Sequence, residues 1–310
     1  KMSQCAAKLK VSPLEAYRAF HGTDASLRSG YTHLFGGLKP GVDRAAAVEL
    51  RRLCRTGIHT TQTSGVAPGF VQANFVMLPK EYAFDFLLFA LRNPKACPIL
   101  AVTNPGDPCP HNVAPGADVT KDIPKYRVWR DGELSEECTD VSHLWTDCMV
   151  GFLLGCSFSW EGKLSLLGLS PRHIDQACTV PMYRSNIRNN PVGPFAGDLV
   201  VSMRPYTPDG AIKAAHITGC YPGAHGGPIH WGDPKKLGIE DLDEAEWGNT
   251  VDVHEGEVPC FWACGVTPQT AIQEARLPLA VTHAPGHMFV CDVTDDELFV
   301  ATDPDHSFGR

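Results

Sequence analysis

At 310 residues, with a hydrophobic fraction of 43%, the chain can bury a large core and suits either one large α/β unit or two lobes. Its 27 Lys and Arg against 35 Asp and Glu give a formal charge of −8 with no basic cluster, which argues against a nucleic-acid partner and leaves any anionic substrate to a few placed arginines. No apolar run is long enough to span a bilayer, and residues 1–30 lack the regions of a signal peptide, so no membrane partner is expected and the expected location is cytoplasmic, or the mitochondrial matrix if a transit peptide has been removed.

The early elements look helical. Ser12-Pro13-Leu14-Glu15 is a capping box with Pro at the first helical position, predicting a short helix to Phe20. Residues 42–55 place Val42, Ala46, Leu50, Leu53 and Cys54 at helical spacing on one face. Residues 60–74 are rich in Gly, Thr, Gln and Asn, which predicts a loop whose backbone NH groups can approach a carboxylate, leading into a strand over 75–78. Residues 81–92 are apolar nearly all round and predict a buried helix, followed by a buried strand at 98–102. Residues 104–126 shift to Pro, Gly and Asp, as a linker or irregular excursion would. An Asp131-Gly132 pair then marks a hairpin.

The apolar run at 149–154 delivers Gly155-Cys156-Ser157-Phe158-Ser159-Trp160-Glu161, with Ser159 expected to cap a helix over 161–167. Read alone, this is a satisfied core cysteine with hydroxyl caps, because free Cys is among the most buried residue types. Short strands are expected around Arg172-His173, at 180–184 and at 199–205, so that Arg184 and Arg204 are candidate carboxylate clamps; a structural ion pair is the commoner use of either. A helix or strand over 211–218 feeds the loop carrying His225, His230 and Asp233, which lacks the helical spacing of a zinc protease. Residues 240–246 are an acidic, solvated face. Pro259-Cys260-Phe261-Trp262-Ala263-Cys264-Gly265-Val266-Thr267 repeats the pattern of an apolar strand ending in Cys, Gly and a hydroxyl. A strand at 279–281 leads to Thr282-His283-Ala284-Pro285-Gly286-His287-Met288, and after Asp292 the tail is acidic and peripheral.

The twelve cysteines are scattered and include no Cys-x-x-Cys pair, so they read as reduced thiols rather than disulfides or a zinc ribbon. The predicted architecture is a mixed, two-lobed α/β fold. A helical arm spans 1–40, a larger three-layer α/β/α lobe spans 41–115 and 200–310, and a smaller α+β lobe spans 116–199.

In order along the chain, Thr63-Ser64-Gly65-Val66-Ala67-Pro68-Gly69-Phe70-Val71-Gln72-Ala73-Asn74, the Gly155–Ser159 cluster, Val180-Pro181-Met182-Tyr183-Arg184, Val201-Ser202-Met203-Arg204-Pro205, the 261–269 segment and the 282–288 segment closely resemble the hydro-lyase family that includes D-glutamate cyclase. The similarity covers roughly residues 45–292, with Trp160 standing where Phe is expected and Gly227 where Ala is more usual. The resemblance implies conversion of D-glutamate to 5-oxo-D-proline with loss of water, in a protein whose partner is a small amino or hydroxy carboxylate and which leaves a homo-oligomer open. The catalytic candidates are Cys156, Ser157, Glu161, His173, Cys264, Thr267, His283 and His287. The substrate-binding candidates are Ser64, Gln72, Asn74, Tyr183, Arg184, Arg204, His225 and His230. Cyclisation needs a base for the ammonium (His283, His287 or His173), an oxyanion pocket near Ser157 and Thr267, and a proton donor to the departing oxygen (Glu161 or a histidine).

Two other readings use the same residues. Cys156 and Cys264 could exchange a proton on opposite faces of Cα, as in a cofactor-independent amino-acid racemase or epimerase. A non-catalytic amino-acid-binding protein would use the arginines and leave the thiols and histidines unexplained. No cofactor is indicated with certainty; a divalent metal on His225, His230, Asp233, His283 and His287 is an alternative to their acid/base use.

Overall fold

The structure, a computed structural model, describes residues 38–300. The predicted helix over 12–20 lies outside them. In order, the elements are α1 (Ala45–Arg55), β1 (Phe70–Pro79), α2 (Lys80–Arg92), β2 (Ile99–Val102), β3 (Tyr126–Arg130), β4 (Glu133–Cys138), β5 (Met149–Gly155), α3 (Phe158–Leu166), α4 (Arg172–Asp175), β6 (Met182–Arg188), β7 (Asp198–Tyr206), α5 (Pro208–Gly219), β8 (His230–Trp231), β9 (Val258–Ala263), α6 (Thr267–Ala275), β10 (Ala280–His283) and β11 (Phe289–Thr294). The fold is mixed α/β, as expected, and its strands form two sheets. One has seven strands, in the order β2-β5-β1-β10-β3-β4 with β11 also on β1; the other has four, β6-β7-β9-β8.

Strand β1 is the axis of the larger sheet. All ten of its residues are buried, and it pairs with β5 from Ala73↔Gly155 to Pro79↔Met149. On its other edge, β11 covers the first half (Phe70↔Thr294, Ala73↔Phe289) and β10 the second (Val76↔Thr282). Where one partner gives way to the next, the chain must leave the sheet, and the His283–Met288 loop is that departure. The hairpin at Asp131-Gly132 forms as expected, with both residues at positive φ (52° and 84°), the twist that suits a two-residue connection.

Both hydrophobic cores draw on both sheets. Side chains alternate along a strand, so Phe75 and Met77 of β1 join Trp160, Tyr206, Cys260 and Trp262 in one core. Val76 and Leu78 join Phe152, Leu154, Val201, Met203 and Phe261 in the other. Each fully buried side chain of this size is worth about 1.5–3 kcal/mol, so the two sheets stabilise each other. No helix among the described residues is long and apolar enough to cross a membrane.

Several local expectations are corrected. Strand β1 starts at Phe70, not at residue 75, so Gln72 and Asn74 are strand residues rather than loop residues. Each amide nitrogen is tied to a backbone carbonyl, Gln72 Nε2 donating to Thr63 O at 2.8 Å and Asn74 Nδ2 to Gly155 O at 2.7 Å, while Gln72 Oε1 is buried with no hydrogen-bond partner among the described residues. Helix α2 buries only one face: Phe84 is 72% and Leu91 63% exposed, because the sheet meets it from one side. Helix α3 begins at Phe158, with Ser159 inside it, and the Ser159 hydroxyl accepts from the Gln72 backbone NH at 3.1 Å instead of capping. Arg172 and His173 lie on the short helix α4 rather than on a strand. The irregular 104–125 segment sends Val113, Ala114, Val119 and Ile123 into the core. From Asp292 to residue 300 the chain stays packed: Glu297 and Leu298 are buried, and the Glu297 carboxylate closes a capping box on Thr294.

Candidate active site

Gly155 ends β5 against the turn at 222–224, where a Cβ would stand 1.7 Å from the Gly223 carbonyl oxygen. Only glycine permits that approach. The chain then turns through Cys156 and Ser157 into α3. Ser157 occupies the N-cap position in a helical backbone conformation, so its hydroxyl does not cap the helix. It accepts instead from Arg204 Nη2 at 3.0 Å. One turn further on, Glu161 Oε1 accepts from the same nitrogen at 2.5 Å, and the Ser64 hydroxyl donates to Glu161 Oε2 at 3.2 Å.

Arg204 comes from β7, whose register with β9 sets it opposite Cys260 and sets Ser202 opposite Trp262. Its Nη1 donates to Ser202 Oγ at 3.0 Å, and its guanidinium carbon lies 4.7 Å from the Trp160 ring centroid and 5.5 Å from that of Trp262. The side chain is wholly buried. His173, from α4, stacks on Phe158 with 6.4 Å between ring centroids and places Nε2 3.1 Å from Glu161 Oε1. Neither of its ring nitrogens has an aligned hydrogen-bond partner among the described residues. Burial alone would raise the Glu161 carboxyl, but the nearby His173 and the charge and hydrogen bond of Arg204 outweigh it and bring the pKa down to about 2. Glu161 is therefore ionised at neutral pH, a charge partner or proton acceptor rather than the resting proton donor.

Beside this network the two cysteine segments meet. Cys156, Phe158, Met182, Val200, Val266 and Met288 form one apolar cluster, against which Cys264 and Trp247 pack. Burial raises both thiols, Cys264 to about 11 and Cys156 further still. Both are protonated at neutral pH. Asn74 lies between the segments: its amide donates to Gly155 O, and it occupies the space a Cβ on Gly265 would need, 1.9 Å from Nδ2.

The remaining candidates are placed less centrally. Thr267 is a tie between α6 and β7, accepting from the Val200 NH at 3.1 Å and donating to Cys264 O at 2.7 Å. Tyr183 spends its hydroxyl on Leu242 O at 2.6 Å. The His283 Nδ1 accepts from the Phe75 NH at 3.1 Å, and burial lowers its pKa to about 4, so it is neutral at pH 7. His287 is also lowered by burial and donates to Pro285 O at 2.9 Å. His225, at φ 73°, donates to Lys95 O at 2.8 Å, and burial lowers it to about 4. His230 donates to Asp233 O at 2.9 Å. Among the described residues, no three His, Cys, Asp or Glu side chains converge as metal ligands would. Arg184 is half-exposed beside Trp247, which packs on the apolar cluster.

Four aromatic residues belong to the site and were absent from the sequence-based set: Trp160 and Trp262 around Arg204, Phe158 under His173, and Trp247 beside Arg184. Trp160 carried a signal, since it departs from the expected Phe. Its indole NH donates to Ala224 O at 2.8 Å, a bond that Phe cannot make. Trp247 lies in an acidic stretch, and nothing in its neighbourhood marks it.

The fold and this site define a mixed α/β protein with a buried carboxylate, guanidinium and imidazole network beside an apolar cluster that includes two thiols. Comparison with known proteins gives the family. The D-glutamate cyclase family model matches residues 150–292, the stretch that runs from β5 to β11. A protein of Geobacillus kaustophilus named "Putative hydro-lyase" is 52% identical over 252 residues, 81% of this chain and 96% of that protein. Proteins of the same name from Rubrobacter xylanophilus and Pseudomonas syringae are each 52% identical, over 82% and 83% of this chain and 98% and 97% of theirs. The chain belongs to this hydro-lyase family. Among solved structures, a nitrogen repressor-like protein from Methanococcus jannaschii aligns with a TM-score of 0.32 at 10% identity over 76% of this chain and 90% of that one, too slight a likeness to argue from.

Proposed function

We propose that the protein is a lyase that removes water from a small amino acid carrying a second carboxyl group, with D-glutamate as substrate and 5-oxo-D-proline as product. The observation that carries this reading is the convergence of Ser157, Glu161, His173 and Arg204 at the entrance to α3, inside the segment matched by the D-glutamate cyclase model. In the reaction a C–N bond forms between the amine and the side-chain carboxyl carbon, and a C–O bond breaks. Two protons leave the ammonium and end on the departing oxygen as water, so no redox partner is required.

The chain supplies groups for each part. The Ser157 hydroxyl at the start of α3 is suited to the negative oxygen of a tetrahedral intermediate. His173 carries protons between nitrogen and oxygen, oriented by its stack on Phe158 and by the Glu161 carboxylate 3.1 Å from Nε2. Arg204 holds Glu161 in place. The two thiols offer weak donors and an apolar wall that excludes water.

The meeting of Cys156 and Cys264 favours the racemase reading, but with both thiols protonated one half of the acid/base pair is missing. One experiment separates the two: purified protein is incubated with D- and L-glutamate in deuterated water and followed by mass spectrometry. A product lighter by one water is expected from one enantiomer. Cα deuteration with inversion and no loss of water would instead establish the racemase, and an unchanged substrate pool would end both readings for glutamate.

A further inference from the structure

The site contains two arginines on one face of the smaller sheet, and they are not equivalent. Arg204 is engaged within the protein: Nη1 is on Ser202, Nη2 on Ser157 and Glu161, Nε is buried with no hydrogen-bond partner among the described residues, and the indoles of Trp160 and Trp262 lie beside the guanidinium. Its side chain is wholly buried and its charge is already met by Glu161, so it presents no exposed fork to a substrate carboxylate. Arg184 presents the opposite case. It pairs across β6 and β7 with Val200, two residues from Met182, which pairs with Ser202. Met182 and Val200 both belong to the apolar cluster that holds Cys156 and receives Cys264, so Arg184 extends from the same face next to that cluster and is half-exposed.

The Arg184 guanidinium carbon lies 5.9 Å from the Trp247 ring centroid, and Trp247 itself packs on the cluster. An indole face holds a guanidinium flat without using any of its donors. Its nearest carboxylate is Asp198, 3.9 Å away, and Asp198 is more tightly engaged by Arg188 at 3.2 Å. Arg184 thus offers a planar, always-charged fork with open donors beside the candidate reaction site, which is the geometry that binds a carboxylate in two places.

We infer that Arg184, held by Trp247, is the anchor for the carboxylate that does not react, so that it sets the specificity for substrates charged at both ends. This deepens the reading given under Proposed function and rests on it for the identity of the reacting end. Arg204 then belongs to the positioning of Glu161 and Ser157, not to substrate binding.

The test is a binding titration of the full chain by calorimetry, with Trp fluorescence in parallel, using D-glutamate, its α-amide and glutarate as probes. Wild type is expected to bind the probes that carry a free carboxylate at the anchor and to discriminate against the α-amide. Arg184→Gln is expected to weaken D-glutamate binding about ten- to hundred-fold and to abolish that discrimination, with Arg184→Lys intermediate because it keeps the charge but loses the fork. Thermal melting of each variant shows that the half-exposed position leaves the fold intact. Arg184→Gln binding all probes as wild type does, or wild type binding none of them, overturns the inference. Carboxylate binding lost in Arg184→Gln while wild type forms no dehydrated product would uphold the anchor and refute the lyase reading alone.

Discussion

Glu161 shows how one side chain can be both a stability element and a functional one. Its carboxylate is buried, and it persists in charged form because Arg204 and His173 lie at 2.5 and 3.1 Å. Removing one member of such a buried pair leaves the other charge uncompensated, so Glu161→Gln is expected to cost about 3–5 kcal/mol, read from urea denaturation. The pH dependence follows from the direction of the shift. The folded pKa of about 2 lies below the ordinary carboxylate value of 4.5, so the stabilisation is complete above pH 4.5 and fades as pH falls from there toward 2. At about 1.4 kcal/mol per pKa unit this amounts to roughly 3 kcal/mol, and the Gln variant should show a flatter acid limb over the same window. The residue types of the site were legible in the sequence, but their division of labour was not. Arg184 and Arg204 look alike as strand-borne arginines, and only the surroundings make one a sealed ion pair and the other an open fork.

At the scale of elements, the site depends on close approaches between backbones. Gly155→Ala would drive a Cβ into the Gly223 carbonyl oxygen at 1.7 Å, so β5 and the 222–224 turn would have to separate. We expect a loss of more than about 4 kcal/mol, or no soluble protein. Gly162 is the control: it lies on the exposed side of α3, and a Cβ there meets nothing within 4 Å. Gly162→Ala should stabilise by about 1 kcal/mol, because alanine is the better helix former, and comparison of urea midpoints checks both. Most elements were readable from periodicity and turn residues, including the hairpin at Asp131-Gly132 and the strand before Gly155. The misreadings have a common cause. Gln72 and Asn74 looked like loop residues because amides are costly to bury, and the carbonyls their NH2 groups reach come from the preceding loop for Gln72 and from the neighbouring strand for Asn74. Helix α2 looked buried all round because its sequence is apolar all round, yet the fold offers it one neighbour.

At the scale of the whole molecule, both sheets contribute to the two largest hydrophobic clusters, so most of the apolar interior is shared between them. The described part of the chain is therefore expected to unfold as one cooperative unit, with far-ultraviolet circular dichroism and Trp fluorescence giving coincident denaturation curves; separated transitions would show that the sheets are stable independently. The sequence by itself determined the mixed α/β class, the order of most elements and, through motifs spread along the chain, the family. These are properties of local pattern and of residue identity, which need no partner to be expressed. The tertiary structure alone decided that Cys156 and Cys264 share a cluster, that Glu161 stays ionised in a buried place, and that Trp247 lies beside Arg184. Each of those depends on groups brought together from distant parts of the chain, and burial, charge pairing and stacking arise only once that assembly has formed.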